Sequence, residues 1–371
     1  MNTNTSAYQL LTLIALSGEC STKVLSHMGI SPSYGEKLIT KLKDDNLIKT
    51  HYKDQLRGYR LTRIGKKKLL EENPNRFAFY FNGSSDTNRP RSDYPRRLRL
   101  HQASIVYSML YNSGILLFRD EKAPLFQCST TTTQSLLFPS FYHSREIKEL
   151  GAETTKINNS RALGILLAPK CIYVVFYTGA SLLKWQYRTE LKVKTMLHYH
   201  ISRGVLSRES IYSGYHPDTP VKALFIGKNM ETALKLMTST GGYQNNYFHL
   251  DSSFDFFHYI PESSFGETML QLLCSPQLIL SLKKLLLSDL QPPCQDYGLE
   301  HDAVQNGIPV LFAFDFDMLR ISRFRTALSF HKLCGHLICF DFQKEILKQY
   351  FEDTITIETI DLSKFEGRFL K

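Results

Sequence analysis

The dipeptide Ser31-Pro32, set between Gly29 and a run of mixed apolar and basic residues, constrains this chain more than any other feature. Serine is a preferred helix N-cap, and proline suits the first helical position but not a helix interior. A helix therefore starts at Pro32, and the chain before Gly29 has to turn sharply into it. Over Pro32–Asn46 the spacing places Leu38, Ile39 and Leu42 on one face. The other face shows Ser33, Tyr34, Lys37, Thr40, Lys41 and Lys43.

The flanking residues supply a context for that helix. Upstream, Ser6–Ser17 carries Leu10, Leu11, Leu13, Ile14 and Leu16 at helical spacing, with Ser6 as a cap and Gly18 as its end. A short second helix follows Thr22, with Val24, Leu25 and Met28 facing inward. Downstream, Leu47–Tyr52 reads as a strand, Lys53–Gly58 as a polar turn and Gly58–Thr62 as the returning strand. Thr62 then caps a helix over Arg63–Leu70. Two helices joined by a tight turn, then a hairpin and a closing helix, have the order and lengths of a winged helix-turn-helix over residues 1–81. In such a unit Ser33, Tyr34, Lys37, Thr40 and Lys41 face a major groove of double-stranded DNA, while Lys53, Arg57 and Arg60 approach phosphates. The alternatives are a merely solvated helical face, or a protein-interaction module.

Charge is distributed to match. Residues 1–99 hold 18 Lys and Arg against 9 Asp and Glu, and the other 272 residues hold 27 against 26, so almost all of the net +10 sits in the first quarter. A basic head on a near-neutral body fits a nucleic-acid partner, with an acidic protein partner as the alternative. Residues 82–99 are rich in Gly, Ser, Asn and Pro and contain five arginines, so they read as a linker or extended arm. Arg89, Arg91, Arg96 and Arg97 are its candidate phosphate contacts, against the reading of a solvated tether. The seven cysteines are scattered, with no C-x-x-C pair, which excludes the common zinc spacings and suits reduced thiols in a cytoplasmic protein. No apolar run has the length of a membrane span, and the first residues do not resemble a signal peptide.

From Leu100 the pattern alternates. Helices are expected over Leu100–Ser113, Thr189–Arg203, Asn229–Thr238, Ser275–Leu287, Met318–Leu333 and Gln343–Phe351. Strands are expected at Ile115–Arg119, Leu163–Ala168, Cys171–Tyr177, Leu182–Tyr187, Val221–Ile226, Pro309–Phe314, Gly335–Phe340 and Thr354–Ile360, with Ser140–Leu150 extended. That makes residues 100–371 a mixed α/β sheet domain, partly parallel in its second half, with an internal boundary near residues 210–220. The chain as a whole is thus α/β, or α+β overall.

Chemistry in this body is sparse. Gly227-Lys228-Asn229 follows a strand without a glycine-rich loop, so it reads as a strand-to-helix turn. Asp315 and Asp317 close a strand, where two acids hold Mg²⁺ or, more simply, cap the next helix. His198 and His200 are two apart on a helix and cannot pair as ligands, and Glu190-Leu-Lys192 reads as a surface pair. One constellation has the order of a restriction-endonuclease-like core: Asp120 at a strand end, then Glu146 and Lys148. There an Asp and the Glu would bind Mg²⁺ and the Lys would steady the attacking water. The competing reading is a solvated charged segment, Arg145 to Glu149. No metal site is otherwise expected, and no cofactor beyond Mg²⁺ for a nuclease.

The passage Tyr59-Arg-Leu-Thr-Arg-Ile-Gly65 with Leu69 after it, the Arg-rich segment, and a helix beginning near Arg99-Leu-His101 ahead of an α/β body together resemble the replication-relaxation proteins of bacterial plasmids and integrative conjugative elements. The stretches Phe141 to Lys148, Asn159-Ser-Arg161 and Tyr177-Thr-Gly179 also look like proteins of Firmicute conjugative elements. The resemblance covers the first 110 residues and, loosely, the next hundred. It implies DNA binding connected with replication or transfer, some relatives being relaxase-like enzymes on a restriction-endonuclease-like core. It also implies a relaxase or replication protein as partner. Where such relatives carry an acidic strand before the long helix, this chain reads Val174-Val-Phe-Tyr-Thr-Gly179, with no carboxylate. That departure favours binding without catalysis, and a degenerate core. Three readings stand: a non-catalytic DNA-binding protein of a mobile element, a Mg²⁺-dependent nicking enzyme, and a transcriptional regulator with a ligand-sensing body. A homodimer would fit symmetric half-sites, although no coiled coil is visible.

Overall fold

The computed structural model describes residues 5–81, 93–122, 138–148, 160–205, 215–216, 218–241, 246–294, 298–352 and 355–370. Its N-terminal unit is made of α1 (Ser6–Ser17), β1 (Cys20–Ser21), α2 (Val24–His27), α3 (Pro32–Asp44), β2 (Ile48–Lys53), β3 (Leu56–Leu61), α4 (Arg63–Glu72) and α5 (Pro74–Phe81). α1 is apolar nearly all round and is buried nearly all round, the expected behaviour of a central helix. Its cap is Thr5, whose hydroxyl accepts from Tyr8 N at 3.3 Å, one residue earlier than Ser6. Gly29 takes φ 69°, the left-handed conformation the sharp turn into α3 requires. α3 buries Gly35, Leu38, Ile39 and Leu42, and a Cβ at Gly35 would sit 3.3 Å from Leu25 Cδ1, so α2 and α3 approach closely there.

The hairpin is tighter than its sequence suggests. Asp54 and Gln55 both have positive φ, 53° and 59°, a two-residue turn of the kind that matches strand twist. The strands consequently extend to Lys53 and from Leu56, in register Lys53↔Leu56. β1 joins β3 as a short third strand. Thr62 caps α4 as expected, accepting from Gly65 N at 3.0 Å.

α6 (Tyr94–Asn112) starts inside the segment read as an extended arm. Asp93 supplies the cap, accepting from Arg96 N at 3.3 Å, and Pro95 lies in the first turn. α6 packs along α1, α2, β1 and β3 of the N-terminal unit. Its other face enters the C-terminal body, so one continuous apolar core, including Leu10, Ile14, Val106, Met109, Val175 and Met269, spans both.

That body holds two sheets. In the first, β4 (Ser140–His143), β5 (Ala162–Ala168), β6 (Cys171–Gly179), β7 (Val221–Gly227) and β8 (Phe257–Pro261) lie in that order, antiparallel from β4 to β6 and parallel from β6 to β8. β6 and β7 are near-continuous apolar runs because both faces are covered. In the second, β9 (Ala303–Gln305) pairs antiparallel with β10 (Ile308–Phe312), which pairs in parallel with β11 (Gly335–Phe340), and that with β12 (Ile355–Ile360). The sheets meet where Tyr259 N donates to Phe316 O at 3.1 Å and Phe257 N to Asp317 Oδ1 at 3.0 Å. Among the described residues the remaining α-helices are α7 (Ser144–Lys148), α8 (Tyr187–Val205), α9 (Met230–Met237), α10 (Ser264–Cys274), α11 (Pro276–Leu287), α12 (Met318–His331), α13 (Lys344–Phe351) and α14 (Leu362–Phe369). The architecture is mixed α/β.

Three extended segments are corrected. Ser140–Leu150 is a strand only to His143, because His143 Nδ1 accepts from Arg145 N at 3.0 Å and Glu146 Oε2 accepts from His143 N at 2.8 Å, which starts a helical turn. Ile115–Arg119 and Leu182–Tyr187 make only single bridges, Leu116↔Ser140 and Lys184↔Tyr247. No single helix among the described residues is long and apolar enough to cross a membrane; α10 and α11 together have the composition but meet at 96°.

Candidate nucleic-acid interface

Burial of Gly35, Leu38, Ile39 and Leu42 fixes the rotation of α3, and the same rotation exposes Ser33, Tyr34, Lys37, Thr40 and Lys41 together. They recur at three- and four-residue intervals, so they form one stripe. Tyr34 is 50% exposed, a large aromatic held out in solvent. At the hairpin, Tyr52, Lys53 and Arg57 are also exposed. Among the described residues no carboxylate pairs with Lys37, Lys41, Lys53 or Arg57, so their charge is available to an external anion.

Arg60 and Arg97 do something else. Both point inward to Glu19, a fully buried carboxylate in the turn between α1 and β1. Arg97 Nη2 lies 2.7 Å from Glu19 Oε1, Arg60 Nη2 2.6 Å from Oε2, and His101 Nε2 2.9 Å from Oε1. Burial pushes the Glu19 carboxyl up, but hydrogen bonds from His101, Arg97 and Arg60 outweigh it and hold the group at about 2. Arg97 also donates to three hairpin carbonyls, Lys53 O at 2.8 Å, Leu56 O at 2.8 Å and His51 O at 3.3 Å. Each of its three nitrogens donates to protein, and no part of it reaches solvent. The expectation of phosphate contact at Arg97 is therefore corrected, and Arg60 is held by Glu19 at the base of the hairpin instead of at its tip. Arg96, one residue before Arg97, is exposed and near Asp93 at 3.7 Å. Arg89 and Arg91 fall outside the described residues.

Glu19 and His101 escaped the sequence reading. A signal existed: Arg97, His101, Ser104 and Ser108 recur at helical spacing as one polar stripe, on the face of α6 that is buried. The lone Glu19 sits between an apolar helix and Cys20, where a charge needs a partner.

The candidate nuclease residues occupy a different place. Asp120 is gripped by Arg76 Nε at 2.9 and 3.0 Å and by Asn73 Nδ2 at 2.8 Å. Glu146 is buried against Lys122, whose ammonium donates to Glu146 at 2.9 Å, Leu117 O at 2.8 Å and Phe141 O at 2.6 Å. Burial lowers the Lys122 pKa, with Glu146 acting against that shift. Each acid already has its own cation. Lys148 closes α7, and its side chain lies outside the described residues. Among the described residues no three His, Cys, Asp or Glu side chains are grouped to hold a metal ion.

The remaining polar candidates are structural. Asp317 caps α12 by accepting from Leu319 N at 3.2 Å, and burial raises its pKa. Asn229 caps α9, making Gly227-Lys228-Asn229 a strand-to-helix turn. Glu190 is not a surface residue: it is fully buried and accepts from Ser160 Oγ at 2.9 Å and Arg161 N at 3.2 Å. An open depression of about 420 Å³ is lined by Leu182, Lys235, Thr238, Ser239, Thr240, Gly241 and Tyr247.

Comparison with known proteins gives no match to a family model, to a curated protein or to a solved structure.

Proposed function

We propose that this protein binds double-stranded DNA through a winged helix-turn-helix formed by α2, α3 and the β2–β3 hairpin, without cutting it. The observation that carries the reading is the stripe of Ser33, Tyr34, Lys37, Thr40 and Lys41 on α3, exposed and unneutralised beside a hairpin that offers Lys53 and Arg57. A helix of this width and chemistry fits a major groove, and the hairpin lysine and arginine suit the adjoining phosphates. The engagement of Asp120 by Arg76 and of Glu146 by Lys122 supports binding over nicking. The sequence resemblance adds a setting: replication, transfer or its regulation on a plasmid or conjugative element.

The test is a titration of the purified protein into labelled duplex DNA of its own locus at several salt concentrations, with and without Mg²⁺. Neutralising about four phosphates gives a log–log salt slope of roughly −4 and no strand scission. A Mg²⁺-dependent nick that Glu146→Ala abolishes would establish the enzyme instead. Absence of binding to any duplex would sink both and leave a protein-interaction module.

A further inference from the structure

α6 packs on both the hairpin and the body sheet, and Arg97 is where it grips the hairpin. The guanidinium spans both strands: His51 O and Lys53 O belong to β2, and Leu56 O to β3. Its remaining donors go to Glu19, which also holds Arg60 of β3 and His101 of α6. Gly58 of β3 is pressed against this cluster; a Cβ there would collide with His101 Nε2 and Glu19 Oε1. A two-stranded hairpin alone is marginal in water, and the Asp54-Gln55 turn uses two non-glycine residues at positive φ, so the tip gains little order from its own sequence.

We propose that Arg97, acting with Glu19, is the positioning residue of the hairpin: it locks the tip to α6 so that Lys53 and Arg57 are presented in one orientation relative to α3. The proposal rests on the DNA-binding reading and deepens it. Affinity of the hairpin contacts depends on a preformed tip, because a disordered one must be fixed on binding. Lysine cannot replace Arg97, since an ammonium lacks the planar fork that reaches two strands and a carboxylate at once.

Two measurements on the full chain separate the proposal from the reading beneath it. The first is amide hydrogen exchange without DNA, on the wild type, Glu19→Gln/Arg97→Met and Gly58→Ala. The double variant removes the fully buried guanidinium and its carboxylate together, leaving the partly exposed Arg60 as the one cation deprived of Glu19, and Gly58→Ala reaches the same cluster by size alone with every charge kept. Amides of Tyr52 to Arg57 exchange at least about ten-fold faster in both, while those of α1 and α3 keep wild-type protection. The second is duplex binding with Lys53→Ala or Lys37→Ala added to each background. Lys53→Ala weakens wild-type binding but adds nothing in the double variant, whereas Lys37→Ala weakens both. Arg97→Lys behaves as the double variant does. Unchanged hairpin exchange, or an equal effect of Lys53→Ala in both backgrounds, overturns the positioning role. If the wild type binds no duplex, the DNA reading and the functional half of this proposal fall together, and the exchange data alone decide the anchoring.

Discussion

Glu19 is a carboxylate whose lone pairs are claimed by two guanidiniums and an imidazole, so protonating it breaks three interactions at once. Its folded carboxyl titrates near 2 and a free glutamate near 4.5, so unfolding takes up a proton at acid pH. The stabilisation is whole above about pH 4.5 and disappears as pH falls toward 2; the shift corresponds to about 3 kcal/mol. In urea unfolding followed from pH 6 to pH 2.5, Glu19→Gln is less stable at neutral pH and shows a visibly flatter decline below pH 4.5. A wild-type slope retained in the variant would mean that other carboxylates carry the acid sensitivity. Lys122 and Glu146 make the complementary case, a buried pair with one cation per acid. Lys122→Met strands the carboxylate and costs about 3–5 kcal/mol, and adding Glu146→Gln restores most of it. Recovery of stability by the double variant, with no change in duplex binding, marks this pair as structural. Neither pair could be read from the sequence as a pair, because the partners are 78 and 24 residues apart and nothing local joins them.

At the scale of elements, local signals were legible where one period dominated. α1, α3, β7, β11 and the Thr62 cap of α4 follow from spacing, capping and turn chemistry, and the structure places them within a residue or two. What failed was the reading of segments whose conformation is decided by distant partners. The start of α6 looked like a linker because its arginines are charged, yet Arg97 is among the largest fully buried side chains of the described residues. β8 carries His258 and ends on Pro261, so its five residues gave no strand signal; its burial comes from the sheet around it. The candidate interface was legible on α3 because a helix with one apolar stripe shows its other face automatically. The hairpin was legible only in part, since Arg60 and Arg57 differ by direction and not by type. Two outcomes test this element. Lys37→Ala and Lys41→Ala each reduce the salt slope of duplex binding by about one when the contact is to phosphate; a change in sequence preference instead identifies a base contact. Gln55→Gly relieves a residue held at φ 59° and raises the stability of the protein by up to about 1 kcal/mol, read from the urea midpoint.

At the scale of the molecule, α6 determines how the N-terminal unit relates to the rest. Its buried residues run from Arg97 to Leu110, and α1 packs along it, so the leucines of α1 share one core with Val106, Met109 and the helices of the body. The contact is reinforced at its far end, where Asn112 Nδ2 donates to His27 O at 2.6 Å and to Glu267 Oε1 at 2.8 Å. There His27 Nε2 also lies 3.4 Å from Glu262, which Tyr177 binds through its hydroxyl. α2 therefore touches Glu262, the residue after β8, and through it Tyr177 of β6, so a displacement of the body sheet would be felt at the turn leading into α3. A fragment ending at residue 81 contains every element of the proposed DNA-binding unit yet lacks α6. Without it Leu10, Leu13 and Ile14 lose part of their cover and the hairpin loses Arg97. Such a fragment gives a poorly dispersed amide NMR spectrum, no cooperative thermal transition and weak duplex binding. Extending it to residue 114 restores α6, and with it hairpin dispersion and a single transition, although the body face of α6 stays exposed and limits solubility. A well-folded fragment ending at 81 that binds duplex as tightly as the full chain would show that α6 is a tether between independent units and not a shared part of their core.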